Sequence, residues 1–119
     1  MIFVIDDNEV MAKLIARNLH GEVRRFRDAY AAIAAIDEVG APDLVFLDVL
    51  LNGPDGFTFL NTSAGYDDTV DVPVVIVSSL NLVGRDLSSY GVREILCKDT
   101  MRPEDVRRIE REILGDGWE

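Results

Sequence analysis

Six polar residues each follow closely on a short apolar run. Asp6 and Asp7 come after "IFVI" (2–5), Asp48 after "LVFL" (44–47), Ser78 and Ser79 after "VPVVIV" (72–77), and Lys98 after "REILC" (93–97). A carboxylate at the end of a run that reads as buried is costly unless a partner or a task holds it there. Carboxylates that meet raise one another's pKa unless a cation neutralises them. A set of oxygen ligands with no His or Cys suits a hard ion, Mg²⁺ or Mn²⁺, which keeps some of its waters and shares a phosphoryl oxygen. Lys98 supplies a further positive charge, and Ser78 a hydroxyl that can donate to an anionic oxygen. A carboxylate nucleophile beside a divalent ion, a lysine and a hydroxyl is equipped to accept a phosphoryl group, and Asp48 is placed for that role.

Each residue also has a plainer reading. Asp6, Asp7 and Asn8 stand where a strand turns into a helix, a position that favours Asp or Asn as N-cap. Two adjacent acids exceed what one cap needs. Asp48 could cap or face water, the two serines could cap the next helix, and a lone lysine is most often solvated.

These residues share a site only if the chain alternates strands with helices. Val10, Met11, Leu14, Ile15 and Leu19 recur at helical spacing after the first strand. "EVRRF" (22–26) is a more polar strand, expected at the sheet edge. "DAYAAIAAIDEVG" reads as an Ala-rich helix capped by Asp28 and ended by Gly40. A short helix from about Gly56 to Ser63 and a further one closed by Gly91 follow, and Pro103 opens a last helix. Its apolar stripe is Val106, Ile109, Ile113 and Leu114. The order βαβαβαβαβα, with near-continuous apolar runs in strands 1, 3 and 4, predicts an α/β fold with a doubly wound parallel sheet covered on both faces. In such sheets ligands bind beyond the carboxyl ends of the strands, where all six polar residues fall.

Composition narrows the function further. The chain has 119 residues, 48% hydrophobic and 29% charged, one domain's worth over 1–119, with 115–119 a tail or the start of a linker. Its net charge of −10 argues against direct nucleic-acid binding. No apolar run approaches a membrane span, and the start lacks the features of a signal peptide, so a cytoplasmic location is expected. The single Cys97 excludes an internal disulfide, and the single His20 excludes a His cluster for zinc. No Gly-rich loop follows the first strand, which weakens a nucleotide- or flavin-binding reading.

Four elements in order carry a resemblance across nearly the whole chain: Asp6-Asp7, "LVFLDVLLNGPDG" with Asp55-Gly56 seven positions beyond Asp48, "PVVIVSS", and Lys98. Together they resemble the receiver domain of two-component response regulators, of the single-domain, chemotaxis-regulator-like kind. The resemblance implies a flavodoxin-like (βα)5 three-layer sandwich with strand order 2-1-3-4-5. It implies Asp48 as phosphoacceptor from a sensor histidine kinase or a histidine phosphotransfer protein. Mg²⁺ would be held by Asp6, Asp7, Asp48 and the carbonyl of Leu50, with Lys98 on a phosphoryl oxygen and Ser78 as switch hydroxyl. The chain would be a signalling switch, a monomer or weak dimer, and an enzyme only toward its own phosphorylation and dephosphorylation. A downstream partner would use the 80–114 face, including Tyr90 and Arg93.

Two positions depart from the family. Ile95 stands where an aromatic residue usually does, so the ring movement of the usual switch is in question. Asp99 replaces the proline that usually follows the lysine in a cis peptide, which predicts a trans Lys98–Asp99 bond and a rearranged loop. Both departures motivate an alternative, a pseudo-receiver that binds partners regardless of phosphorylation. An Asp-nucleophile phosphohydrolase usually wants an acid at the position of Leu50. His20 and Cys97 read as structural, the latter as a small buried strand residue. The Arg107, Arg108 and Arg111 series, interleaved with Glu104, Glu110 and Glu112, reads as solvated helix pairing. Trp118 is expected to lie loosely against the body or to move.

Overall fold

The structure, a computed structural model, describes residues 1–48, 60, 71–78 and 91–115. Strands β1 (Ile2–Ile5), β2 (Val23–Phe26), β3 (Leu44–Leu47), β4 (Val74–Ser78) and β5 (Val92–Cys97) form one parallel sheet in the order β2-β1-β3-β4-β5. The helices among the described residues are α1 (Glu9–Arg17), α2 (Ala29–Val39) and α3 (Pro103–Leu114). The expected third and fourth helices, Leu50, Asp55-Gly56, Ser79, Tyr90 and Trp118 lie outside the described residues, apart from Leu60, which is helical and buried.

Strands β1, β3 and β4 are buried along their whole length, as apolar runs covered on both faces must be. Phe3, Ile5, Val45, Leu47, Val74 and Ile76 point to the side of α2, whose Ala29 and Ala32 are small enough to bring the helix close. Ile2, Val4, Leu44, Phe46, Val75 and Val77 face α1 and α3, meeting Ala12, Ile15, Val106 and Ile109. The result is the parallel sheet covered on both faces that the alternation predicts, with the flavodoxin-like three-layer order that the resemblance implies. The polar strand β2 lies at one edge and β5 at the other. Asp28 accepts from Ala31 N–H to start α2, and Gly40 ends it at φ 90°, a conformation that favours glycine.

Three expectations, for the fourth strand, the apolar stripe of α1 and the last helix, need correction. The fourth strand runs 74–78 rather than 72–77, because Pro73 has no N–H to give the ladder. Val10 does not join the core stripe of α1 but is 80% exposed. It lies about 200° around the helix from buried Ala12. Leu19 falls beyond the end of α1, although it still packs against the core.

The third correction is Glu110, which is not part of a solvated pairing pattern. It is only 4% exposed, and its carboxylate accepts from the backbone N–H of His20 (2.8 and 3.0 Å) and of Gly21 (3.0 Å), with His20 Nδ1 3.2 Å away. Arg107 donates to Asn18 Oδ1 at 2.7 Å one turn earlier. Helix α3 therefore holds the turn between α1 and β2 through backbone donors that have left the helix. By contrast Arg108 behaves as expected at the surface, forking onto Glu94 of β5 and pairing with Glu112.

Replacing Glu110 with alanine should orphan two backbone donors and open a cavity. A loss of about 3 kcal/mol in urea unfolding is expected, against the half kcal/mol or so of an ordinary surface glutamate. An unchanged midpoint would show that the carboxylate contributes nothing to stability.

Candidate functional site

The chain enters β2 from β1 on one side and β3 from α2 on the other, so the order of the strands reverses between β1 and β3. A crevice forms there beyond their carboxyl ends. Asp6 and Asp7 follow β1, Asp48 follows β3, and both lie on that crevice. Asp6, Asp48 and Lys98 are each fixed by one backbone bond beyond a strand end. Asp6 N–H donates to Phe26 C=O (3.0 Å), Asp48 N–H to Ile5 C=O (2.9 Å) and Lys98 N–H to Ser78 C=O (2.9 Å).

The question of capping resolves in favour of Asn8. Its side chain accepts from Met11 N–H at 3.1 Å and starts α1. Asp6 Oδ1 accepts from Asn8 N–H at 2.8 Å, and Asp7 makes no cap. Carboxylate oxygens of Asp6, Asp7 and Asp48 all come within 4.8 Å of one another, with Asp6 and Asp48 buried. Ser78, wholly buried, ends β4 beside them. The structure thus brings Asp6, Asp7 and Asp48 together, while Ser78 is tied to the site through its carbonyl, which accepts from Lys98 N–H.

Lys98 is not solvated but spans the two buried acids. Its Nζ donates to Asp48 Oδ2 at 2.8 Å and lies 3.1 Å from Asp6 Oδ2. The second contact has the distance of a hydrogen bond but not its alignment, so Asp6 Oδ2 is buried with an ionic neighbour and no hydrogen bond among the described residues. Burial pushes the Asp6 carboxyl above the ordinary range, more than the Asn8 N–H and the Lys98 ammonium bring it back, and Asp48 adds to the rise. Burial also works against the Lys98 ammonium, yet the hydrogen bond to Asp48 and the charges of Asp48 and Asp6 outweigh it and raise its pKa. One ammonium cannot balance three acids. The orphaned Asp6 oxygen and the all-oxygen donor set fit a hard divalent cation.

After Lys98 the chain turns sharply, Thr100 and Met101 N–H both donating to Cys97 C=O (3.1 and 2.9 Å). No cis peptide occurs among the described residues, so Lys98–Asp99 is trans, as the replacement of proline requires. Cys97, expected to be buried, is half-buried at the end of β5. Ile95 packs against the core on the α2 side, beside Ile76.

Comparisons with known proteins agree with this geometry. A family model described as "Response regulator receiver domain" matches residues 2–110. The Anaeromyxobacter dehalogenans protein-glutamate methylesterase/protein-glutamine glutaminase 4 is 33% identical over 106 residues, covering 82% of this chain and 29% of that protein. Response regulator PleD of Caulobacter vibrioides is 33% identical over 120 positions, covering 92% of this chain and 26% of that protein. The chain therefore spans less than a third of the length of these relatives. Among solved structures, the receiver domain of NtrX from Brucella abortus matches with a TM-score of 0.81 at 27% identity, covering 98% of this chain and all of that one.

The raised pKa of Asp6 has a consequence for stability. A carboxyl raised in the fold contributes stability below its unfolded pKa and loses it as pH climbs through the folded value. Ionised Asp6 thus burdens the metal-free protein at neutral pH. In chelator, Asp6→Asn should melt above wild type at pH 7, and the gap should close as pH falls toward 4. Thermal melts across that range check it; a variant less stable at every pH would refute the sign.

Proposed function

Because the chain belongs to the response regulator receiver domain family of two-component systems, we propose that Asp48 accepts a phosphoryl group from a phosphohistidine donor and that the change in charge switches partner binding. Receiver domains bind a divalent metal and work between histidine kinases and downstream effectors. For this chain the metal is taken as Mg²⁺, with Mn²⁺ a substitute. Asp6, Asp7 and Asp48 would hold it, with the carbonyl of Leu50 carried over from the family. When bound, it offsets the acids and draws charge from a phosphoryl oxygen.

The observation that carries the reading is Lys98 Nζ standing between Asp48 Oδ2 and Asp6 Oδ2. The contact holds the Asp48 carboxylate in one orientation, as a positioned nucleophile needs. An ammonium so placed can shift its hydrogen bond from carboxylate to phosphoryl oxygen without leaving the crevice. Ser78, fixed through its carbonyl to Lys98 N–H, would donate its hydroxyl to another phosphoryl oxygen. About 1.5 to 2 negative charges arrive with the phosphoryl group, and their contacts would bias the loops around the crevice toward one of two arrangements. The partner surface is assigned to the 80–114 face, and the only reaction catalysed is the chain's own phosphorylation and its reversal. The phosphorylation-independent module has no observation of its own in its favour, since the acids and the lysine are all in place.

Incubation with acetyl phosphate and Mg²⁺ should add one phosphoryl mass, at Asp48, by intact-protein and peptide mass spectrometry. Chelator and Asp48→Asn should each abolish it, and Lys98→Ala should slow it by about a hundredfold. A modification that persists in Asp48→Asn, or that ignores Mg²⁺, would overturn the assignment.

A further inference from the structure

A cleft of about 330 Å³ opens between the first turn of α1 and the carboxyl end of β2. Asp6, Asp7 and Glu9 form one wall, Arg25 and Arg27 the other, and Ala12 and Phe26 complete the lining. Asp6 and Asp7 belong to the acid trio as well, so the cleft adjoins the Asp48 site. Both arginines are exposed. Arg24, Arg107 and Arg108 each lie within 4.0 Å of a carboxylate, but among the described residues Arg25 and Arg27 have no such partner.

Here the acids across the cleft are held on β1 and α1 at a distance the arginines do not close. A divalent ion on Asp6 and Asp7 would offset those two acids, leaving Glu9 on that wall against Arg25 and Arg27 on the other. Two guanidinium forks suit the oxygens of a phosphate or carboxylate. The volume is at the low end for small-molecule sites.

We propose that this cleft is an anion subsite that seats small phosphodonors of the acyl phosphate class, with Arg25 and Arg27 as the residues that hold the donor's anionic oxygens beside Asp48. The inference rests on the reading of Asp48 as phosphoacceptor. It adds that reaction with a small donor depends on two arginines of the edge strand. Their contribution is to donor capture, not to the transfer itself.

Two measurements on the full chain test it. In the first, the rate of phosphorylation is followed against acetyl phosphate concentration at fixed Mg²⁺. Arg25→Gln/Arg27→Gln should raise the half-saturating concentration by about fivefold with the limiting rate unchanged. Lys13→Gln/Arg17→Gln, an equal change of charge at exposed positions on α1, should leave both values alone. In the second, inorganic phosphate is titrated into Asp48→Asn and amide resonances are recorded. Saturable shifts at residues 25–27, absent when Arg25 and Arg27 are also replaced, are expected. Equal effects from the two charge pairs, or no shifts at residues 25–27, would overturn the subsite. If Asp48 is not the phosphoacceptor, the outcome differs: wild type forms no Mg²⁺-dependent adduct, while phosphate still shifts residues 25–27.

Discussion

Everything in the crevice is arranged around one ammonium group between two buried carboxylates. Lys98 faces Asp6 and Asp48 at once, and Asp7 stands close by, so the described groups leave the site with excess negative charge. Buried ions gain from each other only when their geometry is good, and an unaligned contact such as that to Asp6 Oδ2 recovers less than burial takes. The trio would spread apart if side-chain contacts alone set its positions. It is held because Asp6, Asp48 and Lys98 each donate one backbone hydrogen bond past a strand end, so their positions follow from the sheet register. The repulsion is in effect stored against the ladder, and a divalent ion is the simplest group that relieves it.

A register that rigid needs its surroundings fixed as well. On the α1 and α3 side, Ala12, Ile15, Val106 and Ile109 pack on β1, β3 and β4, and the buried Glu110 with Arg107 ties α3 to the turn that leads into β2. That turn sets where β2 begins, and β2 in turn supplies the Phe26 carbonyl that positions Asp6. A contact nearly ninety residues apart in sequence thus bears on the acid cluster without touching it.

The site was more legible in the sequence than its support. Asp6, Asp7, Asp48, Ser78 and Lys98 could be placed because a parallel sheet brings every strand's carboxyl end to one edge, whatever the loops do. The all-apolar strands revealed two covered faces by their lack of alternation. Glu110 could not be found in this way. In an Arg- and Glu-rich helix its type matches the exposed residues around it, and only the donors at His20 and Gly21, far off in sequence, distinguish it. Val10 shows the reverse failure: it is apolar, but a short helix buries a narrow arc, and its position in that arc depends on where Asn8 begins the helix. Arg25 and Arg27 are equally silent, since what matters about them is the absence of a partner across a gap.

The two departures from the family pattern show how a position can be kept after the residue that usually keeps it is gone. Proline after the lysine would fix the following bend through its ring. Here the bend is made by two hydrogen bonds onto the Cys97 carbonyl, with a trans peptide at Asp99, and the chain passes from there to Arg102, where Asp105 accepts the backbone N–H that precedes α3. Lys98 keeps its place through its own N–H on Ser78, which the substitution does not affect. Ile95 removes an aromatic ring from β5, but its side chain belongs to the α2-side core beside Ile76 and has no polar end to carry a signal. Among the described residues, the backbone pair of Ser78 and Lys98 joins the end of β4 to the end of β5, and the turn onto Cys97 carries the chain from there to α3.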